Sequence, residues 1–215
     1  MNKQHLAAMA FQSAQTYAGK VAMRARRDGQ WQPITYREMG DSIRRIARAL
    51  LALDVQPGDR VGIFAENRPK WSLVDFAVLA LGGVTVPIYA TNTRPQAAYI
   101  VDETEMAVIF TGSQANYDKI RAIAAGPTTL RHIITLDDDT AIDGQASCHF
   151  GQFLALGTAA ADAEIEARLA AAESSALATI IYTSGTTGEP KGVMLTHANI
   201  FHQFKTLEAE FHVGP

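Results

Sequence analysis

The chain contains 215 residues, 47% of them hydrophobic and 19% charged, with a formal net charge of −3. This length and apolar content suffice for a sizeable core, and the weak negative charge argues against a protein that binds nucleic acid through bulk positive charge. The single cysteine, Cys148, excludes an internal disulfide. No apolar run approaches the roughly 20 residues that span a bilayer, and no secretory signal is evident. We therefore expect a cytoplasmic protein; peripheral membrane contact and oligomeric state stay open.

The first 55 residues predict two helices separated by a hairpin. The predicted elements are a helix at 4–18, strands at 20–27 and 30–35 around the turn Asp28-Gly29, and a helix that begins after residue 35. Thr35 and Glu38 have the spacing of a capping box. The helix that follows has apolar residues close to a period of 3.6, namely Met39, Ile43, Ile46, Ala47, Leu50 and Leu51.

Residues 56–137 alternate between short apolar strands and helices. The predicted strands are 60–65, 84–88, 106–111 and 132–136, and the predicted helices are 69–81, 94–103 and 116–125. This alternation is typical of βαβ units. The fold class we expect is α/β, with a mostly parallel sheet covered by helices on both faces.

Residues 138–177 predict a connector, which includes a helix at 159–172. The run Asp137-Asp-Asp139 before it is interpreted as a solvated turn, because no further metal-ligand spacing follows. Residues 178–215 predict a second sheet region, in which a strand–loop–strand hairpin is followed by a helix at 198–211 that Thr196 caps.

The stretch 178–197 is the most informative part of the sequence. An apolar run leads into a loop of glycines and hydroxyls, and Lys191 and a second apolar run follow. The glycines 185, 188 and 192 let the backbone take a positive φ and approach an anion closely. Four hydroxyls, a stiffening proline and a compact positive charge complete the pattern of a polyphosphate site: Thr183, Ser184, Thr186, Thr187, Pro190 and Lys191. The spacing is not that of a Walker A loop, and no G-x-G-x-x-G follows a strand.

At these residues the chain resembles the adenylate-forming superfamily, which includes acyl-CoA synthetases, adenylation domains of peptide synthetases and firefly luciferase. The segment 182–192 matches that family's phosphate-loop signature without departure. The segments 34–38, 58–62, 67–71 and 82–91 look like further landmarks of the same N-terminal region. The runs around Ile88 and after Lys191 look most like bacterial long-chain fatty acid–CoA ligases.

The resemblance implies two half-reactions. A fatty acid carboxylate attacks the α-phosphorus of MgATP to give an acyl-adenylate and pyrophosphate, and the thiol of CoA then displaces AMP. The resemblance assigns phosphate binding to Thr183, Ser184, Gly185, Thr186, Thr187, Gly188 and Lys191. It implies that Lys191 is catalytic, through its charge near the β- and γ-phosphates, and that Thr183 shares an oxygen with Mg²⁺.

Other motifs of the family have no counterpart here: the aromatic-Gly-x-Thr-Glu motif, the aspartate that grips the ribose and the lysine of the C-terminal domain. We therefore expect the 215 residues to be an incomplete N-terminal domain that is inactive alone. Three alternatives stay open: a ligase for another acyl, aryl or amino acid, a non-catalytic nucleotide-binding module, and an interaction fragment whose sheet edges pair.

A few side chains outside the loop have weaker claims. His197 and His132 are expected to be structural hydrogen-bonding groups, and Trp31 and Trp71 to be packing residues. Tyr89 and Thr91 follow the end of a strand, where open α/β sheets bind ligands, so they are candidates for either a functional or a packing role.

Overall fold

Two sheets and eight α-helices make up the computed structural model, which describes residues 4–27, 29–144, 146–183 and 190–211. The strands are β1 Val21–Arg27, β2 Gln30–Thr35, β3 Arg60–Phe64, β4 Val84–Ile88, β5 Val108–Thr111, β6 His132–Thr135, β7 Ser147–His149, β8 Leu177–Thr183 and β9 Lys191–Thr196. The helices are α1 Leu6–Thr16, α2 Tyr36–Ala52, α3 Pro69–Ala80, α4 Arg94–Thr104, α5 Gln114–Ala124, α6 Phe150–Ala155, α7 Asp162–Ala171 and α8 His197–Phe211, with a 3₁₀ turn at Ala159–Ala161. None of these described helices combines the length and the apolarity that crossing a bilayer requires.

Seven strands form the central sheet in the order β7-β6-β5-β3-β4-β8-β9, and β1 and β2 form a separate antiparallel pair. Every pairing in the central sheet is parallel except β8 with β9. The expected α/β class with a mostly parallel sheet is therefore confirmed. Since the strands are parallel, their carboxyl ends share one edge, and that edge is where ligands of open α/β sheets bind.

Apolar cores lie on both faces of the sheet. Alternate residues of one strand enter different cores, as Ile63 and Phe64 do in β3. One core packs against α1, α2, α3, α6 and α7, and the other against α4 and α5. Burial on both faces explains why these strands have continuous apolar sequences instead of an alternating pattern.

The start of α2 confirms the predicted capping box. The Glu38 N–H donates to Thr35 Oγ1 at 3.3 Å, and the Thr35 N–H donates to Glu38 Oε2 at 2.7 Å. The helix buries all the apolar positions predicted for it except Leu51, which is half-buried. The two tryptophans differ: Trp71 packs against the core, whereas Trp31 is 63% exposed, so a packing role for Trp31 is wrong.

The segment 138–177, expected to be a connector, also contributes to the sheet. Its residues 147–149 form β7, which pairs with β6 at the edge, and α6 follows at once. The sequence does not predict this strand, because its three half-buried residues form no apolar run.

The hairpin β8–β9 was expected to begin a second sheet region, and this detail is wrong. It extends the central sheet, because Thr179 of β8 pairs with Thr85 of β4 in parallel. Sequence periodicity predicts that a strand exists, but the partner of the strand depends on tertiary packing.

One carboxyl group on α3 has a raised pKa. Burial raises the pKa of Asp75 from 3.8 to about 6. A raised pKa means that the folded protein holds this proton more tightly than the unfolded chain does. The free energy of unfolding therefore falls as the pH rises through the interval between these two pKa values and is then constant.

We predict that Asp75→Asn removes this fall in the free energy of unfolding with rising pH. At pH 7.5 the variant gains on the order of 2–3 kcal/mol over the parent, because the ionised carboxylate is no longer buried, and at pH 4 the two differ little. Urea unfolding at both pH values measures the difference. The same substitution at Asp41, which is exposed on α2, serves as the control. An equal response of the two variants to pH would contradict the prediction.

Candidate phosphate-binding site

Thr183 and Lys191 face each other at the open end of the β8–β9 hairpin. They are the last cross-strand pair of the ladder, and both are exposed. Directly paired residues of antiparallel strands place their side chains on the same face of the sheet. The structure therefore brings together two of the predicted site residues, a hydroxyl and a cation. The predictions for Ser184, Gly185, Thr186, Thr187 and Gly188 lie outside the described residues.

The strand end beside this pair belongs to β4. Thr85 of β4 pairs with Thr179 of β8, and Tyr89 directly follows the last residue of β4. Tyr89 is 63% exposed, and Thr91 follows in the same loop. Tyr89 therefore lies at the carboxyl edge next to the hairpin end, where its ring is accessible to a ligand.

The hairpin joins the parallel strands through β8, which packs beside β4. Thr85 and Thr179 are the backbone partners in the register between these two strands, within the described part of the chain. The Thr179 hydroxyl also donates to the Thr85 carbonyl oxygen at 2.8 Å. Side chains on either side of this pair add contacts that hold the hairpin in place.

Tyr182 makes such a contact close to the open end. Its ring meets that of Tyr99 edge to face, with centroids 6.4 Å apart, and the Glu103 carboxylate lies near its hydroxyl. Burial, followed by Glu103, raises the pKa of the Tyr182 phenol above its usual value of 10. Both partners lie on α4, so this contact ties the hairpin to that helix. No local pattern predicts this contact, because Tyr182 and Glu103 are 79 positions apart in the sequence.

Gly192 leaves room for two side chains of β8. It is directly paired with Tyr182, and a Cβ built on it would lie 2.9 Å from Ile180 Cγ2 and 3.2 Å from Tyr182 Cζ. Its φ is not positive, in contrast to Gly29, Gly58, Gly82 and Gly144. The interpretation of Gly192 as a residue that takes a positive φ is therefore wrong; it makes space for Ile180 and Tyr182 instead.

His197 holds the other end of the hairpin. It is 1% exposed, and its Nδ1 accepts a hydrogen bond from the Leu6 N–H at 3.3 Å. Burial, and then the neighbouring His5, lower the pKa of His197 from 6.5 to about 3, so it is neutral at physiological pH. The expected structural role of His197 is confirmed. The expected cap is confirmed as well, because Thr196 Oγ1 accepts from the Asn199 N–H at 3.2 Å.

The described residues contain no cluster of three histidine, cysteine, aspartate or glutamate side chains that could hold a metal ion. Within the Asp137–Asp139 turn, Asp137 pairs with Arg68, and Asp138 Oδ2 lies 4.0 Å from Lys70 Nζ. Cys148 is half-buried, and burial raises the pKa of its thiol. At the described part of the hairpin end, the exposed Thr183 hydroxyl offers a hard oxygen atom of the kind that Mg²⁺ prefers as a ligand.

A groove of about 820 Å³ lies elsewhere, between the β1–β2 hairpin, α2, α3 and α6. It contains no residue of β8 or β9. Two of its cations are engaged, because Arg68 pairs with Glu66 and Asp137, and Lys70 donates to the Leu136 carbonyl oxygen at 2.5 Å. We therefore place the candidate site at the hairpin end and not in this groove.

Known proteins are similar to this chain both in sequence and in fold. The model of the AMP-binding enzyme family matches residues 10–215. The long-chain-fatty-acid–CoA ligases FadD15 of Mycobacterium bovis and Mycobacterium tuberculosis are each 36% identical over 205 residues, which are 95% of this chain and 33% of theirs. The structure of acetoacetyl-CoA synthetase from Streptomyces lividans superposes with a TM-score of 0.81 at 21% identity, over 97% of this chain and 33% of that one. The chain thus spans about a third of the length of these relatives.

We predict that Tyr182→Phe lowers the stability of the protein but leaves the aromatic packing of the hairpin intact. The ring stays over Gly192, but the polar contact of the hydroxyl with the Glu103 carboxylate is lost, which lowers the free energy of unfolding by about 1 kcal/mol. Urea unfolding measures this loss. Tyr89→Phe is the matched control, because its ring is exposed, and it is expected to have no effect. Equal stability of Tyr182→Phe and the parent would show that the contact with Glu103 does not hold β8.

Proposed function

Because the chain belongs to the family of AMP-binding enzymes, we propose that it is the ATP-binding N-terminal part of an AMP-forming acyl-CoA ligase. The proposed substrates are a long-chain fatty acid, ATP and CoA, in keeping with the names of the most similar relatives. Since the chain spans a third of those relatives, the complete reaction is proposed for the full-length protein. The observation that carries the proposal is the exposed pair of Thr183 and Lys191 at the two ends of a loop rich in glycine and hydroxyls.

This geometry suits the first half-reaction. The fatty acid carboxylate attacks the α-phosphorus of ATP, and the bond from that phosphorus to the bridging oxygen breaks, so the electron pair leaves with pyrophosphate. Negative charge grows on the leaving group, where a fixed cation stabilises the transition state more than the ground state. Lys191 would supply this cation from the end of β9, a position fixed by the ladder with β8.

The hydroxyl of Thr183 fits Mg²⁺ in one limited way. Mg²⁺ takes hard oxygen ligands and usually keeps several waters and phosphate oxygens, so it needs few protein ligands. A single exposed hydroxyl beside the proposed phosphate position matches that need. When bound, the ion would neutralise phosphate charge, while Thr183 would orient the phosphates relative to Lys191.

In the second half-reaction the thiolate of CoA attacks the carbonyl carbon of the acyl-adenylate, and the bond from that carbon to the phosphate oxygen breaks to release AMP. We assign none of the described residues to this step.

The acid specificity is tested by ATP–pyrophosphate exchange with a series of carboxylic acids of increasing chain length. The proposal expects exchange with long-chain acids, whereas exchange only with aryl or amino acids would contradict the substrate proposed.

We predict that Lys191→Ala weakens the binding of MgATP and of magnesium pyrophosphate by roughly ten- to a hundredfold, because one charge-assisted contact is lost. Isothermal titration calorimetry measures both affinities. Lys205→Ala on α8 is the matched control, since Lys205 is also exposed. The proposed role of Lys191 fails if the two variants bind equally well.

We predict that Thr183→Val raises the Mg²⁺ concentration for half-maximal pyrophosphate exchange by roughly two- to tenfold, the worth of one neutral polar contact. Valine preserves the shape and the strand preference of threonine. Thr129→Val, in the loop before β6, is the control: it removes a hydrogen bond to the Met106 carbonyl oxygen and lowers stability away from the hairpin, but it leaves the Mg²⁺ dependence unchanged. The same Mg²⁺ dependence in both variants would sink the assignment of Thr183.

A further inference from the structure

Two histidines from opposite ends of the chain meet at the start of α1. His5 and His197 are each 1% exposed, and their ring centroids lie 3.7 Å apart with an angle of 34° between the planes. His5 is the N-cap of α1, whereas His197 is the first residue of α8, immediately after β9. The contact therefore joins the N-terminal helix to the strand that carries Lys191.

Both rings cap the same helix. The Leu6 N–H donates to His197 Nδ1 at 3.3 Å, and the Ala8 N–H donates to His5 Nδ1 at 3.5 Å. The first N–H groups of a helix have no partner within the helix, so these two imidazoles supply acceptors that α1 needs. A ring nitrogen accepts only when it carries no proton, which places the proton of each neutral ring on Nε2.

His197 also closes the base of the β8–β9 hairpin. The backbone N–H of His197 donates to the Ala176 carbonyl oxygen at 3.1 Å, and the backbone N–H of Ala198 donates to the Ser174 carbonyl oxygen at 2.7 Å. These bonds continue the cross-strand bonding past the pair of Leu177 and Thr196. A displacement of this base therefore tilts the whole ladder, including its open end.

We propose that His197, held by His5 and the first turn of α1, is a positioning residue for the phosphate-binding end of the hairpin. It fixes the base of the ladder on α1, while the packing of β8 beside β4 supports the middle. With both points fixed, Thr183 and Lys191 are presented to the phosphates in one orientation. This inference rests on the proposed function, because it assigns to the hairpin the task of binding nucleotide.

Two substitutions separate the acceptor from the ring. His197→Asn keeps an oxygen near the position of Nδ1 but removes the ring, and His197→Phe keeps the ring but leaves the Leu6 N–H buried without an acceptor. Leu169→Ala on α7 is the control for lost stability, because Leu169 is 9% exposed in the same core but has no part in the hairpin. Lys191→Ala reports whether the site binds nucleotide as proposed.

The test measures the Kd of MgATP by calorimetry in the full-length protein, at a temperature where every variant is folded by circular dichroism. We expect His197→Phe to raise the Kd by about three- to tenfold, the usual size of a mutational effect on coupling. His197→Asn should restore the affinity to within about twofold of the parent, and Leu169→Ala should leave it unchanged. An unchanged Kd in His197→Phe, with a weakened Lys191→Ala, overturns the positioning role but leaves the proposed function standing. An unchanged Kd in Lys191→Ala overturns both.

Hydrogen exchange in the unmodified protein gives a second test that does not depend on how a variant folds. Coupling between two sites is reciprocal, so MgATP bound at the hairpin end must slow exchange at the start of α1. MgATP also slows the exchange of core amides by stabilising the whole fold, so the amide of Ile165 on α7 is the reference. We expect saturating MgATP to slow the amide of Leu6 by a larger factor than the amide of Ile165. Slowing of Leu6 by no more than the factor at Ile165 overturns the inference.

Discussion

The attachment of one hairpin to one sheet governs the candidate site. The β8–β9 ladder carries Thr183 and Lys191, and it joins the parallel strands where β8 packs beside β4, with Thr85 and Thr179 as backbone partners. Contacts at the two ends of the hairpin, through Tyr182 and through His197, add to this attachment. The position of any bound phosphate relative to the central sheet therefore depends on contacts in the middle and at both ends of the hairpin.

The rest of the fold gives those points a rigid base. Apolar cores on both faces bury the parallel strands, and the helices that receive the hairpin contacts belong to different cores: α1 to one and α4 to the other. Close-packed interiors deform little, so a side chain anchored in each core transmits their rigidity to the hairpin. The hairpin is thus held from both sides of the sheet.

Local patterns predicted most of the fold. The capping box at Thr35, the strand Val84–Ile88 and the cap at Thr196 follow from spacings of a few residues, and the structure has them. The strand β7 was missed because its three residues carry no periodic signal. The inclusion of the hairpin in the central sheet could not be predicted, because it depends on a contact between residues 94 positions apart.

The candidate site was predictable in its chemistry and less so in its support. The motif identified Thr183 and Lys191, which the structure places opposite each other. The reason for glycine at position 192 could not be predicted, because Ile180 and Tyr182, which occupy the space of a Cβ there, lie on the other strand. The pairing of His5 with His197 had no signal in the sequence, since each residue alone looks like an ordinary polar group near the end of a helix.

The free edge of β9 bears on how the chain behaves in isolation. In the described part of the chain this strand pairs only with β8, and Val193 and Met194 are 44% and 68% exposed. Main-chain groups on such an edge can accept another strand whatever its sequence. At high concentration these 215 residues are therefore prone to associate edge to edge through β9. Association of this kind, in a crystal or on a sizing column, would reflect the unpaired main-chain groups of that strand and would not be evidence for a physiological dimer.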